Sequence, residues 1–132
     1  MSSYEVRALP LYTKEHTWMK TVGNGIVRVG ITDYAQKMLK EINYAELPSE
    51  GDEVVQMESC AELESTKAVS QVYCPVSGTV AAVNEEAMDE PSLINQNPYD
   101  AGWLIDVEAS DLESEKANLM TAEEYKAFLD TI

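Results

Sequence analysis

The sequence predicts a mainly β domain, a sandwich or a barrel, with one helix inserted early and a helical C-terminal end. Three observations carry this expectation. Apolar residues recur in short β-prone runs rather than in long helical stripes. Those runs are spaced by Gly, Pro, Asn and Asp, the residues of turns. The chain of 132 residues is 45% hydrophobic, enough to bury roughly two-thirds of its unfolded surface in one core and too apolar for charge-driven disorder. One domain spanning residues 1–132 is expected, with 1–10 as an N-terminal tail and 110–132 as a helical extension.

Trp18 opens the first run, and Gly23-Asn24-Gly25 turns the chain into the second, Ile26-Val27-Arg28-Val29. A helix is expected over 33–40, with Tyr34, Met38 and Leu39 on one side behind a cap at Thr32 or Asp33. Pro48-Ser49-Glu50-Gly51-Asp52 breaks the chain before Val54-Val55. Two β-prone runs, Cys60–Leu63 and Val69–Tyr73, flank Glu64-Ser65-Thr66-Lys67-Ala68, which puts Lys67 at or near a hairpin tip. Pro75-Val76-Ser77-Gly78 precedes Val80–Val83, and Leu104-Ile105-Asp106-Val107 is the last strand. Ser110-Asp111-Leu112-Glu113 has the capping-box pattern, a hydroxyl followed three residues later by Glu. Thr121-Ala122-Glu123-Glu124 repeats it and opens a final helix with Tyr125, Phe128 and Leu129 at helical spacing.

The formal charge is −15 and unevenly placed. Residues 1–44 hold six basic and four acidic side chains, whereas 45–132 hold three basic and twenty acidic ones. Between Lys40 and Lys116 the single basic side chain is Lys67, among eighteen carboxylates. Duplex binding needs clustered Lys and Arg to displace counterions, so nucleic acid is excluded as a partner, and an anionic membrane surface for the same reason. The N-terminus lacks the basic start and apolar run of a signal peptide. The longest purely apolar stretch, Val80–Val83, falls far short of the ~20 residues that span a bilayer. Two cysteines make no secreted disulfide framework. A cytoplasmic protein with both thiols reduced is expected.

A nucleophilic or Schiff-base lysine needs burial or a cationic neighbour, and a hairpin tip among carboxylates offers neither. What the tip offers Lys67 is access, so that another enzyme can acylate it. Cys60 and Cys74 each lie seven residues from Lys67. A hairpin symmetric about Lys67 makes them cross-strand neighbours, and a shift of one residue sends them to opposite faces. They are read either as inert buried thiols or as a redox pair. With one distant histidine they give no zinc spacing, so no metal site is expected. His16 has no Ser or Cys nucleophile paired with it in sequence and is expected to be structural or to line a pocket. The glycines spell no phosphate loop.

Glu64 three residues before Lys67 and Gly78 eleven after it resemble the lipoyl-bearing proteins, in which a glutamate and a glycine at those offsets help a ligase recognise the hairpin. Biotin-bearing domains place their lysine between methionines, whereas Lys67 stands between Thr66 and Ala68. The resemblance sharpens to the glycine cleavage H-protein family. It is carried by Tyr12-Thr13-Lys14-Glu15-His16-Thr17-Trp18, Val29-Gly30-Ile31-Thr32-Asp33-Tyr34-Ala35-Gln36, Glu46-Leu47-Pro48, Glu64-Ser65-Thr66-Lys67-Ala68, Cys74-Pro75-Val76-Ser77-Gly78 and Asn97-Pro98-Tyr99-Asp100-Ala101-Gly102-Trp103-Leu104. The blocks run in family order over about nine-tenths of the chain.

The resemblance implies a barrel-sandwich hybrid of the lipoyl/biotinyl type, made of two small sheets, with lipoate in amide linkage to Lys67. It implies a carrier that is a protein substrate of other enzymes and catalyses nothing itself. A lipoate-protein ligase or lipoyltransferase attaches the arm. In the family the arm takes an aminomethyl group from a pyridoxal-phosphate glycine decarboxylase, presents it to a folate-dependent aminomethyltransferase, and is reoxidised by dihydrolipoamide dehydrogenase. Two positions depart from the family pattern. An acid usually stands between His16 and Trp18, and another four residues after Lys67; here they are Thr17 and Gln71. Either another acid such as Glu15 substitutes, or the cargo differs. The second reading resembles the lipoate-binding proteins of heterodisulfide-reductase-like sulfur oxidation, which serve a heterodisulfide-reductase-like complex and need no ammonium pocket. A third is an acidic interaction module with Lys67 bare.

Overall fold

A computed structural model describes residues 4–132, so the first three residues of the expected N-terminal tail lie outside it. Among the described residues the strands form two antiparallel sheets rather than a closed barrel. The larger comprises β1 (Leu11–Tyr12), β2 (Thr17–Gly23), β3 (Ile26–Ile31), β5 (Glu53–Val54), β8 (Gly78–Val83) and β9 (Ile105–Ala109), in the order β1-β2-β3-β9-β8-β5. The smaller comprises β4 (Ile42–Glu46), β6 (Ser59–Ser65) and β7 (Val69–Tyr73), in the order β4-β6-β7.

Alternation along each strand sorts the side chains into two clusters. In β2, Met19 joins an aliphatic core and its neighbour Trp18 an aromatic one. The aliphatic core lies between the sheets, with Val27, Val29, Val80, Ile105 and Val107 of the larger against Ala45, Leu63 and Val72 of the smaller. The aromatic cluster joins Tyr12, Trp18, Tyr99 and Tyr125. Trp18 Nε1 donates to the carbonyls of Ile31 (2.9 Å) and Pro98 (3.0 Å). A Cβ on Gly30 would lie 2.6 Å from its ring. Three sequence blocks far apart in the chain thus meet at one indole. Gly78 has a similar reason: a Cβ there would lie 2.0 Å from the Glu108 carbonyl oxygen on β9.

The Gly23-Asn24-Gly25 turn closes the β2–β3 hairpin with φ of 123°, 51° and 76°. Helix α1 (Asp33–Leu39) starts at Thr32, whose hydroxyl accepts from Ala35 N (3.3 Å). Met38, expected on its packed side with Tyr34, is 49% exposed, while Leu39 packs against the core. Two short helices, α2 (Glu85–Asp89) and α3 (Ser92–Gln96), were not anticipated. Each has five residues and no side-chain cap, too little to carry a helical stripe. The capping box expected at Ser110 does not form: α4 (Leu112–Glu115) begins after Asp111 without a side-chain cap bond. Its last carboxylate works elsewhere, with Glu115 accepting from Ser77 N (2.7 Å) and Ser77 Oγ (2.6 Å). The box at Thr121 does form and opens α5 (Ala122–Leu129), which buries Tyr125 and Leu129.

The irregular segment 4–10 lies across the aromatic cluster. Glu5 N donates to Asp33 Oδ2 (2.9 Å), Tyr99 Oη to the Glu5 carbonyl (2.7 Å) and Tyr12 Oη to the Arg7 carbonyl (2.7 Å). These bonds seal the end of the cluster beside α1.

Candidate functional site

Glu64 pairs with Val69, so Ser65-Thr66-Lys67-Ala68 is the tight connection between β6 and β7. Ser65 shapes it. Its backbone N–H donates to the Ala68 carbonyl (2.8 Å), and its Oγ accepts from Lys67 N (3.2 Å) and Ala68 N (3.1 Å). Thr66 N also reaches the Glu41 carbonyl (3.4 Å), which anchors the turn to the chain entering β4. The Lys67 side chain is exposed and makes no hydrogen bond or ion pair with the described residues. A fixed backbone with a free amine is what an acylating enzyme needs to reach.

Beside this turn β7 is the edge of its sheet, and between that edge and α1 lies a cleft of about 360 Å³. Val69, Gln71 and Tyr73 form one wall and Tyr34, Met38 and Leu39 the other, with Glu15 and His16 at one end. The walls are largely apolar and able to cover an aliphatic arm. Exposed Met38 thus has a place to act. This cleft was not legible as such in the sequence, although the His16 and Tyr34 blocks that build it were singled out.

His16 sits at φ 68° in the tight loop 13–17. Its Nδ1 is 2.8 Å from Tyr125 Oη, which is also 2.8 Å from the Thr32 hydroxyl. Its ring lies 4.4 Å from that of Tyr34. Burial holds its pKa below the ordinary histidine value, favouring the neutral imidazole. Burial likewise pushes the Tyr125 phenol far above its ordinary value. His16 is therefore a neutral wall of the cleft with one nitrogen committed to α5.

The two departures fall in different places. Thr17 is 1% exposed, and its hydroxyl is 2.7 Å from that of Thr13. It is not among the residues lining the cleft. Gln71 does line it, but its amide is engaged with β6: Nε2 donates to Glu62 Oε1 (2.7 Å) and Oε1 accepts from Ser59 Oγ. The carboxylate that does line the cleft is Glu15.

Cys60 and Cys74 are free thiols, the first half-buried and the second buried. The hairpin is not symmetric about Lys67. Ala61 faces Val72 and Glu64 faces Val69, one residue out of that symmetry, and Ser59 faces Tyr73. Cys60 is the extra residue of the bulge between these registers. The shift separates the thiols along the ladder: Cys74 N donates to the Glu58 carbonyl (2.9 Å), whereas Cys60 stands between Ser59 and Ala61. Among the described residues no group of His, Cys, Asp and Glu is arranged to hold a metal ion, and no helix is long and apolar enough to cross a membrane.

Comparison with known proteins places the chain in a family. A family model described as glycine cleavage H-protein matches residues 10–132. The chain is 49% identical to a probable glycine cleavage system H protein of Pyrococcus abyssi, over all of this chain and 98% of that one. It is 48% identical to glycine cleavage system H protein 4 of Aquifex aeolicus, over all of this chain and 76% of that one. A crystal structure of a glycine cleavage system H protein from Mycobacterium marinum superposes with a TM-score of 0.81 at 36% identity, covering 96% of this chain and all of that one. That neighbour has the barrel-sandwich architecture expected from the sequence. Nothing in these matches supports the sulfur-oxidation reading, and the geometry removes half its basis, because Thr17 does not line the cleft.

Proposed function

The chain belongs to the glycine cleavage H-protein family, and on that premise we propose that Lys67 carries lipoate in amide linkage and shuttles an aminomethyl group among the enzymes of glycine cleavage. Its role is that of a carrier, not a catalyst. The observation that carries the reading is the position of Lys67, exposed on a rigid turn beside the cleft between β7 and α1. A strained cyclic disulfide on a long flexible tether supplies thiol–disulfide exchange chemistry, and tethering raises the local concentration of the cargo at each docked enzyme. This chain's residues hold and shield. Tyr34, Met38, Leu39 and Val69 cover the aliphatic stem, neutral His16 adds no positive charge beside an ammonium, and Glu15 is placed to accept from it. The partners are a lipoate ligase or lipoyltransferase, glycine decarboxylase, aminomethyltransferase and dihydrolipoamide dehydrogenase. The same reading puts the carrier in the cytoplasm with them.

Intact mass of the chain isolated from its native cell is expected to show one lipoyl group, and Lys67→Arg to abolish it. An unmodified native chain, or lipoate retained on the arginine variant, would reject the assignment. Lipoylated chain is expected to support glycine decarboxylation with competent partner enzymes. Failure of that reconstitution would reject the cargo and leave the arm intact.

A further inference from the structure

Segment 4–10 closes the aromatic cluster, and it also grips the helix that walls the cleft. The family model that matches the chain begins at residue 10, so residues 4–9 lie outside it. The backbone of the segment is fastened at two residues. Tyr99 Oη donates to the Glu5 carbonyl (2.7 Å), and Arg7 N donates to Tyr12 Oη (2.9 Å), which donates back to the Arg7 carbonyl (2.7 Å). The Arg7 guanidinium lies 5.2 Å from the centre of the Tyr99 ring and pairs with Asp100 Oδ2 (3.2 Å). From these anchors the segment reaches three residues of α1. Glu5 N donates to Asp33 Oδ2 (2.9 Å), which also pairs with Lys37 Nζ (3.0 Å). Lys37 Nζ stands 5.5 Å from the centre of the Tyr4 ring. The Tyr4 ring meets that of Tyr34 edge to face, with centres 4.9 Å apart and planes at 78°. Tyr34 in turn lies 4.4 Å from the His16 ring, and both line the cleft. Lys37, Tyr4, Tyr34 and His16 thus form one continuous column from the segment to the end of the cleft.

We propose that Tyr4 is a positioning residue for the arm: by packing against Tyr34 it holds that ring in place as a wall of the cleft in which the loaded arm lies. This role rests on the arm and cargo proposed above. Tyr4 is not among the residues lining the cleft, so it acts through Tyr34 rather than on the arm. Tyr34 is only half-buried, and its ring needs neighbours on both sides to stay in one rotamer. His16 supplies one side and Tyr4 the other. Edge-to-face rings attract beyond their contact area, and the Lys37 ammonium over the Tyr4 ring adds a cation–ring attraction. Without Tyr4 the Tyr34 ring is free to turn into the cleft or away from it. Either movement changes the room left for an aliphatic stem and lets water reach the cargo.

The test compares Tyr4→Ala, Tyr4→Phe, Tyr34→Ala and the double variant Tyr4→Ala with Tyr34→Ala. The Met38 methyl and His16 ring signals are read by NMR on the full chain with Lys67 unmodified, so that neither lipoate nor cargo enters. The half-life of the aminomethyl-loaded carrier is read separately, on chain shown by mass to be fully lipoylated. Tyr4→Ala is expected to move both signals and to shorten the half-life by about two- to tenfold, the range of one ring pair. Tyr4→Phe keeps the ring and is expected to match the parent in both readouts. In the Tyr34→Ala background, Tyr4→Ala is expected to shorten the half-life no further, a coupling that a general loss of stability does not produce. Unmoved signals or an unchanged half-life in Tyr4→Ala, no rescue by Tyr4→Phe, or losses that multiply in the double variant would overturn the proposal. A parent chain that takes up no aminomethyl group rejects the cargo instead, and the two NMR signals alone then decide whether Tyr4 holds the wall.

Discussion

Glu15 and Gln71 sit at the same cleft but are differently placed to act. Gln71 spends its amide on Glu62 and Ser59 within its own sheet, whereas the Glu15 side chain is exposed and, among the described residues, in no hydrogen bond or ion pair. On the proposed reading, Glu15 is therefore the group placed to receive the ammonium of a loaded arm. Because it is exposed, that contact is worth about 1 kcal/mol or less, not the larger sum of a desolvated charged hydrogen bond. Glu15→Gln is expected to shorten the half-life of the aminomethyl-loaded carrier by about two- to fivefold, with lipoylation complete by mass. An unchanged half-life would show that the cleft holds its cargo without this carboxylate. The buried Thr13–Thr17 pair explains why position 17 tolerates a threonine: the hydroxyl completes the loop that presents Glu15 and His16, with Glu15 N donating to Thr13 Oγ1 (3.2 Å).

The two capping patterns of the C-terminal extension show how an identical local signal succeeds at one element and fails at another. At α5 both reciprocal bonds are made, Glu124 N to Thr121 Oγ1 (3.2 Å) and Thr121 N to Glu124 Oε1 (2.9 Å). Thr121→Ala should cost about 1 kcal/mol, seen as a lower urea midpoint with unchanged slope. Ser110→Ala, which removes no hydrogen bond, should stay within about 0.5 kcal/mol of the parent. Equal losses would mean that the caps do not govern these ends. The sequence made most strands and the Lys67 turn legible because their signals, alternation and turn residues, are local, whereas β1 and β4 fall in stretches where it marked no strand. It made α5 legible through spacing as well as cap. Helices α2 and α3 escaped because five residues with no cap bond hold no periodic signal, and their stability comes from packing, Ala87 and Ile94 being buried. The cleft and the offset of Cys60 from Cys74 escaped for a different reason. Both depend on register and on juxtaposition of β7 with α1, which no single segment encodes.

At the level of the whole molecule the acidic excess has a direction. Across the exposed face of the smaller sheet, Tyr44, Glu64 and Val69 form one row and Glu46, Glu62 and Gln71 the next, by register. Tyr44 is 49% and Val69 59% exposed, so two apolar side chains flank a carboxylate directly behind Lys67. A partner that must reach Lys67 meets this face, and basic residues around an apolar hollow complement it. With a chain charge of −15, association with such partners is steered electrostatically and slows with ionic strength. Local and global steering are separable by placement of neutral substitutions. Glu62→Gln with Glu64→Gln removes two charges beside Lys67, whereas Glu85→Gln with Glu86→Gln removes two from α2. If the sheet face is the docking surface, the first pair should lower the association rate with each partner enzyme severalfold at low salt, and the difference should shrink as salt rises. The second pair, with the same change in net charge, should have little effect. Equal slowing by both pairs would mean that partners feel only the overall charge, and that the face behind Lys67 is not where they dock.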